Sequence, residues 1–237
     1  MTDNDSVTSE PESLKHRRIR SFVLRMGRMT AGQQRALDAL WPHFGIEYSA
    51  DSLNLDEVFG RHAPRMIEIG FGTGEALCAY AQAHPEVDCL GIEVHRPGAG
   101  HLLLQVEQHG ISNVRASCHD AVEVLTHQLV PASIDAVHIF FPDPWHKARH
   151  HKRRLIQPAF ADLLARVLKP GGILRLATDW QHYAEHMRAV LDVHPSFTNV
   201  ADDTGYMPRP DDRPLTRFER RGHRLGHGVW DMAYQRR

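Results

Sequence analysis

The sequence predicts an α/β protein built on a single doubly wound, Rossmann-like parallel sheet with helices on both faces. Two observations support this class. Short apolar stretches alternate with segments of helical periodicity over most of the chain, and those stretches are apolar along nearly their whole length, as buried parallel strands are. The 237 residues, 42% of them hydrophobic, suit one such domain. A tail from about Phe197 adds two further strands, which we expect to form a C-terminal antiparallel pair.

The predicted elements follow one another in strict alternation. Five strands are expected, at residues 65–70, 87–93, 114–119, 134–141 and 173–177. The helices between and after them are expected at residues 75–84, 100–110, 121–129 and 155–168, with a last helix that carries Tyr183, Met187 and Val190. Gly110 is a helix-ending glycine, and the run from Lys169 to Gly172 is a stop signal.

Composition divides the chain and excludes several classes of protein. Residues 1–14 are polar and acidic and predict a disordered lead, 15–60 a basic extension with a helix, and 61–237 the sheet domain. Three cysteines without a CxxC pair do not make a disulfide framework and favour the cytoplasm. No stretch resembles a signal peptide or a membrane span. Although the formal net charge is −1, basic residues cluster in 13–37 and 146–154, a pattern typical of nucleic-acid binding.

A glycine-rich turn after the first strand predicts a cofactor site. Gly70, Gly72 and Gly74 alternate there, so the backbone can turn sharply and approach a ligand. A dinucleotide site would require GxGxxG spacing and a setting that tolerates phosphate. Here the spacing is GxGxG with Glu68 and Glu75 on either side, which favours a positively charged sulfonium cofactor.

Two more acids stand at the ends of the next two strands. Glu93 ends the second strand, where a carboxylate can accept hydrogen bonds from ribose hydroxyls, and Asp120 ends the third, near the expected position of adenine. Alternatively, Glu93 is a solvated strand end and Asp120 caps the following helix. Their joint occurrence after a glycine turn favours the cofactor site.

The segment after the fourth strand carries the strongest chemical signal. Pro142-Asp143-Pro144-Trp145 predicts a rigid turn that holds a carboxylate and an indole at the sheet edge, directly before a basic run. The alternative is a purely structural turn with a solvated basic face. A metal site at His146, His150 and His151 is disfavoured because no acid or cysteine accompanies them; we predict no metal.

From about Lys15 onward the chain resembles the bacterial-type tRNA (guanine-N7-)-methyltransferases, which are class I S-adenosylmethionine-dependent enzymes. The resemblance lies in RIRSFVLRMGRMT (18–30), IEIGFGTGEAL (67–77), GIEVHRPG (91–98), FPDPWHKARHHKRR (141–154), LATDW (176–180) and LTRFERRGHRLGH (215–227). It implies S-adenosylmethionine binding by Glu68, Gly70, Gly72, Gly74, Glu93, Asp120 and Asp143. It implies substrate binding by Lys147, Asp179, Thr216, Arg217, Phe218 and Glu219, and RNA binding by Arg149, His150, His151, Lys152, Arg153 and Arg154. Arg217 and His151 depart from the residues usual there, lysine and asparagine.

The resemblance also implies a mechanism and a substrate, the variable-loop guanine of tRNA. Guanine N7 has a free lone pair at neutral pH, so positioning and electrostatics should dominate catalysis, with Asp143 as the catalytic carboxylate and Asp179 and Glu219 assisting. Asp179 is alternatively a helix N-cap. The base must leave its stack, and Phe141 or Trp145 offers an aromatic surface, unless Trp145 packs in the core.

Other functions remain as alternatives. An amino-directed adenine methyltransferase would carry Asp/Asn-Pro-Pro-aromatic, a dehydrogenase would carry GxGxxG, and a catalytically silent RNA-binding protein would not need Asp143. No protein partner is required, and the sequence does not choose between monomer and dimer. The segment Lys15–Arg28 is expected either to contact RNA or to fold over the cofactor.

Overall fold

The computed structural model describes residues 19–23, 27–211, 213–215, 219 and 228–237. Its strands are β1 (Gly45–Ile46), β2 (Arg65–Ile69), β3 (Asp88–Ile92), β4 (Val114–Ser117), β5 (Ile134–Phe140), β6 (Leu168–Thr178), β7 (Phe197–Asn199) and β8 (Trp230–Arg236). Its α-helices are α1 (Ala31–Phe44), α2 (Leu55–Phe59), α3 (Glu75–Ala83), α4 (Arg96–His109), α5 (Ala121–Glu123), α6 (Pro158–Val167) and α7 (Gln181–Leu191). A π-helical turn, Val124–Gln128, continues α5, and a 3-10 helix spans Ala148–Arg153.

The strands form one sheet in the order β1-β4-β3-β2-β5-β6-β8-β7. The pairs from β1 to β6 are parallel, whereas β8 runs antiparallel to both β6 and β7. The predicted doubly wound sheet and C-terminal antiparallel pair are confirmed. The chain builds outward from β2 to β4 and then returns to β5 on the other side of β2. Such a reversal opens a ligand crevice at the carboxyl ends of the strands.

Both faces of the sheet are covered by helices. Met66 and Cys89 point to one face and pack in a cluster with α1, α3 and α4. Ile67 and Leu90 point to the other face, where α5, α6 and α7 cover them. This alternation along each strand follows from the two-residue period of β structure. No helix in the described part of the chain has the length and apolar character that a membrane crossing requires.

Several predicted boundaries differ from the structure. The helix expected to begin at residue 155 begins at Pro158, because proline fits the first turn, where its missing N–H has no partner to lose. The helix expected from residue 100 begins at Arg96, again with a proline in its first turn. The strand expected from residue 173 begins at Leu168, since the backbone pairs with β5 on both sides of a register shift.

The N-terminal region joins the same sheet. Thr30 caps α1 through a reciprocal pair of bonds with Gln33, and Arg35 of α1 forms an ion pair with Glu107 of α4. After α1 the chain adds β1 at the sheet edge, beside β4. The predicted disordered lead, residues 1–14, lies outside the described residues.

Candidate active site

A cavity of about 830 Å³ opens at the carboxyl ends of β2, β3, β4 and β5. Its size is that of an ordinary small-molecule site. We call it the edge cavity. Its lining includes Gly70, Gly72, Glu93, Asp120, Asp143 and Lys147 from the predicted sites, together with Ser21, Phe22 and Val23 from the N-terminal region. The sheet therefore brings together residues that the sequence places on four separate strand ends.

The glycine turn leaves room for a ligand at two of its three glycines. Gly70 and Gly72 have φ of 77° and 56°, and a β-carbon built on either would meet nothing within 4 Å. Gly74, with φ of 82°, is instead the N-cap of α3, where a β-carbon would lie 2.6 Å from Leu102. Gly74 does not line the edge cavity, and in this structure it permits close packing of α3 on α4; its contact with the cofactor stays a prediction.

Glu93 is held by the backbone around it. One carboxylate oxygen accepts from the N–H of Gly72 at 2.9 Å, and the other accepts from Val94 at 2.7 Å and His95 at 3.0 Å. Three such bonds fix the position and orientation of the carboxylate. The alternative of a solvated strand end is therefore wrong, and Glu93 ties the β3 end to the glycine turn.

Asp120 stands just after β4, beside both the edge cavity and α5. It lines the edge cavity and also caps α5, accepting from the N–H of Val122 at 3.0 Å. A capping bond occupies only part of the carboxylate's acceptor capacity, so capping and ligand binding are compatible.

Glu68 lies apart from the edge cavity. It points to the α3 side of β2, is 3% exposed, and does not line the cavity, so its direct contact with the cofactor stays a prediction. Burial, and secondly the charge of Glu93, raise the pKa of Glu68 to about 8. Its Oε2 has no hydrogen-bond partner among the described residues. The carboxyl is thus neutral at pH 7.

The turn after β5 is strained at both ends. Phe141 and Trp145 adopt φ of 51° and 47°, a region that non-glycine residues rarely occupy. The N–H of Phe141 bonds to the carbonyl of Ala177 at 2.8 Å, which anchors the turn to β6. Between them Asp143 is exposed and lines the edge cavity. Strained backbone of this kind clusters at functional sites.

Trp145 is not a core side chain. It is half-buried and lines the edge cavity, and its indole N–H donates to the carbonyl of Ser21 at 2.9 Å. The guanidinium of Arg153 lies 4.0 Å from its ring centroid, and His150 stacks at 5.9 Å. The alternative of a core side chain is therefore wrong, and a role in stacking the base stays a prediction.

The basic segment divides into exposed and buried members. Lys147, Arg149 and Lys152 are exposed. Desolvation and then the neighbouring cations lower the pKa of His150, and desolvation is also the first cause that lowers the pKa of His151.

Arg154 does not follow the RNA-binding prediction. It is 2% exposed, donates to the carbonyl of Pro144 at 2.9 Å, and lies 4.9 Å from the ring of Tyr183. Its guanidinium is not available to a phosphate in this structure, because it is buried beneath the Pro-Asp-Pro turn and donates to the carbonyl of Pro144.

Asp179 lies in a second cavity of about 450 Å³. Trp180, not Asp179, is the N-cap of α7, so the capping alternative is wrong. The second cavity adjoins the first: His146 of the edge cavity packs edge-on against Trp180 of the second, with ring centroids 4.3 Å apart. The remaining lining residues are Gln181, His182, Glu185, Gly228 and Trp230.

Glu219 is buried in an ion triad. It is 1% exposed and accepts two bonds from the guanidinium of Arg213, at 2.6 and 3.0 Å, while Arg213 also binds Asp231 at 2.9 Å. In this structure the Glu219 carboxylate is occupied by Arg213, and the substrate contact expected of it stays a prediction. Thr216, Arg217 and Phe218, assigned to the same role, lie outside the described residues.

Sequence reasoning did not single out several lining residues. Ser21, Phe22 and Val23 belong to the segment 15–28, which was expected to contact RNA or to fold over the cofactor, but its charge pattern did not indicate which of its residues would line a cavity. His119 also lines the cavity, and its ring stacks on Tyr48 at 3.7 Å between centroids. Strand-end position could have indicated His119, but it gives no reason to prefer His119 over its neighbours.

The charges around the edge cavity suit a cationic ligand. Three carboxylates and one lysine line it, together with histidines. This balance disfavours a polyphosphate and fits a sulfonium group with an ammonium tail, and the open space beside Gly70 and Gly72 leaves room for it. No cluster of three or more metal-binding side chains occurs within the described residues.

Comparison with known proteins gives close relatives over the whole chain. A family model described as a putative methyltransferase matches residues 62–232. A tRNA (guanine-N7-)-methyltransferase of Alcanivorax borkumensis is 53% identical over 100% of both chains. One of Ectopseudomonas mendocina is 55% identical over 100% of this chain and 99% of its own, and one of Burkholderia cenocepacia is 57% identical over 96% and 89%.

Solved structures share the fold at low identity. The 16S rRNA methyltransferase KamB gives a TM-score of 0.57 at 11% identity and covers 78% of this chain and 94% of its own. The antibiotic-resistance methyltransferase Kmr gives 0.52 at 13% identity over 81% and 94%. The sheet is thus that of the class I methyltransferases.

Proposed function

Since this chain belongs to the tRNA (guanine-N7-)-methyltransferase family, we propose that it methylates N7 of a guanine in tRNA, with S-adenosylmethionine as the methyl donor. The observation that carries the proposal is the edge cavity, where an acidic ligand site meets the Asp143 turn and an exposed basic segment. Within the tRNA, we assign the methyl acceptor to the guanine of the variable loop. We place the reaction in the cytoplasm, without a metal or an obligatory protein partner.

The cofactor would be held by the strand ends of β2, β3 and β4. Glu93, fixed by three backbone N–H groups, would accept hydrogen bonds from the ribose hydroxyls, and Asp120 would bind the adenine amino group. Gly70 and Gly72 give the backbone close approach to the amino-acid part. S-adenosylmethionine, when bound, supplies a methyl group on positively charged sulfur.

The chain's own contribution to transfer is positioning and electrostatics. Guanine N7 carries a lone pair at neutral pH, so no side chain has to remove a proton from it. Positive charge develops on the purine, and the Asp143 carboxylate opposes it while accepting hydrogen bonds from guanine N1 and N2. Asp179 assists from the adjoining cavity. The strained turn holds Asp143 in place before the base arrives.

The basic segment would bind the RNA backbone. Lys147, Arg149 and Lys152 are exposed on and just before the 3-10 helix that follows the Asp143 turn. Cations so placed bind phosphates without reading the base sequence. We leave Arg154 out of this group because of its burial.

The test is methyl transfer to an unmodified tRNA transcript, followed by mapping of the methylated nucleotide. The expected product is N7-methylguanosine in the variable loop, and a transcript in which that guanine is replaced by adenine should accept no methyl group. Transfer to an adenine amino group, or none in the presence of bound cofactor, would refute the proposal.

A further inference from the structure

One wall of the edge cavity comes from the N-terminal region. Ser21, Phe22 and Val23 line the cavity although they belong to no helix or strand. We call residues 19–23 the N-terminal wall. Among the described residues, no backbone-to-backbone hydrogen bond ties the wall to the rest of the chain. Something else must therefore offset the entropy of holding it in place.

Two side chains, Trp145 and Arg153, hold the wall by donating hydrogen bonds to its backbone carbonyls. The indole N–H of Trp145 donates to the carbonyl of Ser21 at 2.9 Å. The guanidinium of Arg153 donates through Nε to the carbonyl of Arg20 at 3.2 Å and through Nη2 to that of Phe22 at 3.1 Å. Three successive wall carbonyls are thus engaged.

Trp145 and Arg153 act as one unit. The guanidinium carbon lies 4.0 Å from the indole centroid, so each side chain fixes the orientation of the other. We call this unit the clamp. Trp145 also stands at the strained end of the Asp143 turn, with φ of 47°. The clamp therefore joins the wall to the turn that carries the catalytic carboxylate.

We infer that Trp145 and Arg153 are positioning residues that hold the N-terminal wall against the cofactor, and that Arg153 does not serve chiefly as a phosphate ligand. The inference rests on the proposed function for the identity of the ligand. The bonding pattern is the reason: a planar guanidinium can stack on an indole and bind two carbonyls at once, which a lysine ammonium cannot do. Lys152, one residue earlier, is exposed and has the position expected of a phosphate ligand.

The experiment separates positioning from charge with matched variants. Arg153→Lys keeps the positive charge but loses the planar guanidinium that stacks on the indole and donates to two carbonyls. Trp145→Phe keeps an aromatic ring but loses the N–H donor. Lys152→Ala removes charge and leaves the clamp intact. The dissociation constant of S-adenosylhomocysteine is measured by calorimetry without RNA, and tRNA affinity is measured separately at low salt.

Arg153→Lys and Trp145→Phe should each weaken S-adenosylhomocysteine binding by about threefold to tenfold, the effect of losing one or two ordinary hydrogen bonds. Lys152→Ala should leave cofactor affinity unchanged and weaken tRNA binding, whereas Arg153→Lys should keep tRNA affinity. Hydrogen–deuterium exchange across residues 19–23 should be faster in both clamp variants than in Lys152→Ala.

The possible failures are distinguishable. If the unmodified protein does not bind S-adenosylhomocysteine, the proposed function fails. If it binds, and both clamp variants bind as tightly with unchanged exchange in the wall, the clamp inference is overturned. Since both substitutions are conservative, exchange elsewhere in the sheet shows whether the fold has been kept.

Discussion

Replacing Glu68 by glutamine should change how the stability of this protein depends on pH. Glu68 is 3% exposed on the α3 side of β2, and burial raises its pKa to about 8 from the ordinary value of 4.5. Between those two values the folded protein keeps the proton and the unfolded chain has released it. The contribution of Glu68 to the free energy of unfolding is therefore fully present below pH 4.5 and is lost as the pH rises toward about 8.

The magnitude follows from the size of the shift. Each pH unit in this window costs about 1.4 kcal/mol of stability, so the loss from about pH 5 to about pH 7 is roughly 3 kcal/mol. Glutamine resembles the neutral acid and does not titrate. The difference in free energy of unfolding, Glu68→Gln minus unmodified protein, should rise by about that amount between about pH 5 and about pH 7 and level off above about pH 8.

Urea denaturation at a series of pH values measures this difference. Other titrating groups, including the histidines, are present in both proteins and cancel, and Asp203→Asn, at an exposed carboxylate, serves as the control. The glutamine amide inherits a position where Oε2 finds no described partner, which adds an offset independent of pH. Parallel stability curves for the two proteins would refute the assignment of a neutral buried acid.

Three further results are expected. Asp143→Ala should reduce turnover by at least about tenfold while changing S-adenosylhomocysteine affinity far less, and near-normal single-turnover rates would exclude its catalytic role. Glu219→Ala should cost about 3–5 kcal/mol in urea denaturation because it leaves Arg213 buried with one partner fewer; an unchanged midpoint together with a raised KM for tRNA would return Glu219 to substrate binding. Arg149→Ala and Lys152→Ala should each lower the salt slope of tRNA binding by about one, and titrations from low to high salt that show an unchanged slope would remove both from the RNA surface.

The sheet was predictable because its signals are local. Apolar stretches bounded by Gly70, Gly110 and the Lys169–Gly172 run identified the strands and helices in the right order. Boundaries were less predictable where a proline allowed more than one start, as at Pro158. The pairing of β6 with β5 across a register shift depends on contacts that no single segment encodes.

The site was predictable where strand ends determine position. Glu93, Asp120 and Asp143 meet at one cavity because parallel strands end at the same edge. The sequence could not show which acids face the ligand and which face the core. Glu68 is two residues before Gly70, and the two-residue period of β2 turns it toward α3 instead.

Contacts between distant segments were beyond the sequence. Arg153 and Arg154 are adjacent and chemically identical, yet one binds the N-terminal wall and the other is buried beneath the Pro-Asp-Pro turn. Glu219, which the family resemblance assigned to substrate, is likewise held in a buried ion pair with Arg213. Charge patterns locate such residues in the sequence but do not show whether their side chains face solvent or the protein interior.

The left-handed backbone at Phe141 and Trp145 bears on thermal adaptation. Each such residue costs about 1–3 kcal/mol, a sizeable share of the margin by which a domain of this size is folded. A glycine at either position would relieve that backbone cost, but at Trp145 it would also remove the indole that binds Ser21 and Arg153, and at both positions it would leave the Asp143 carboxylate less constrained. Selection for thermal stability should therefore accumulate substitutions elsewhere in the molecule and keep these two residues, so that stability increases without added flexibility in the catalytic turn.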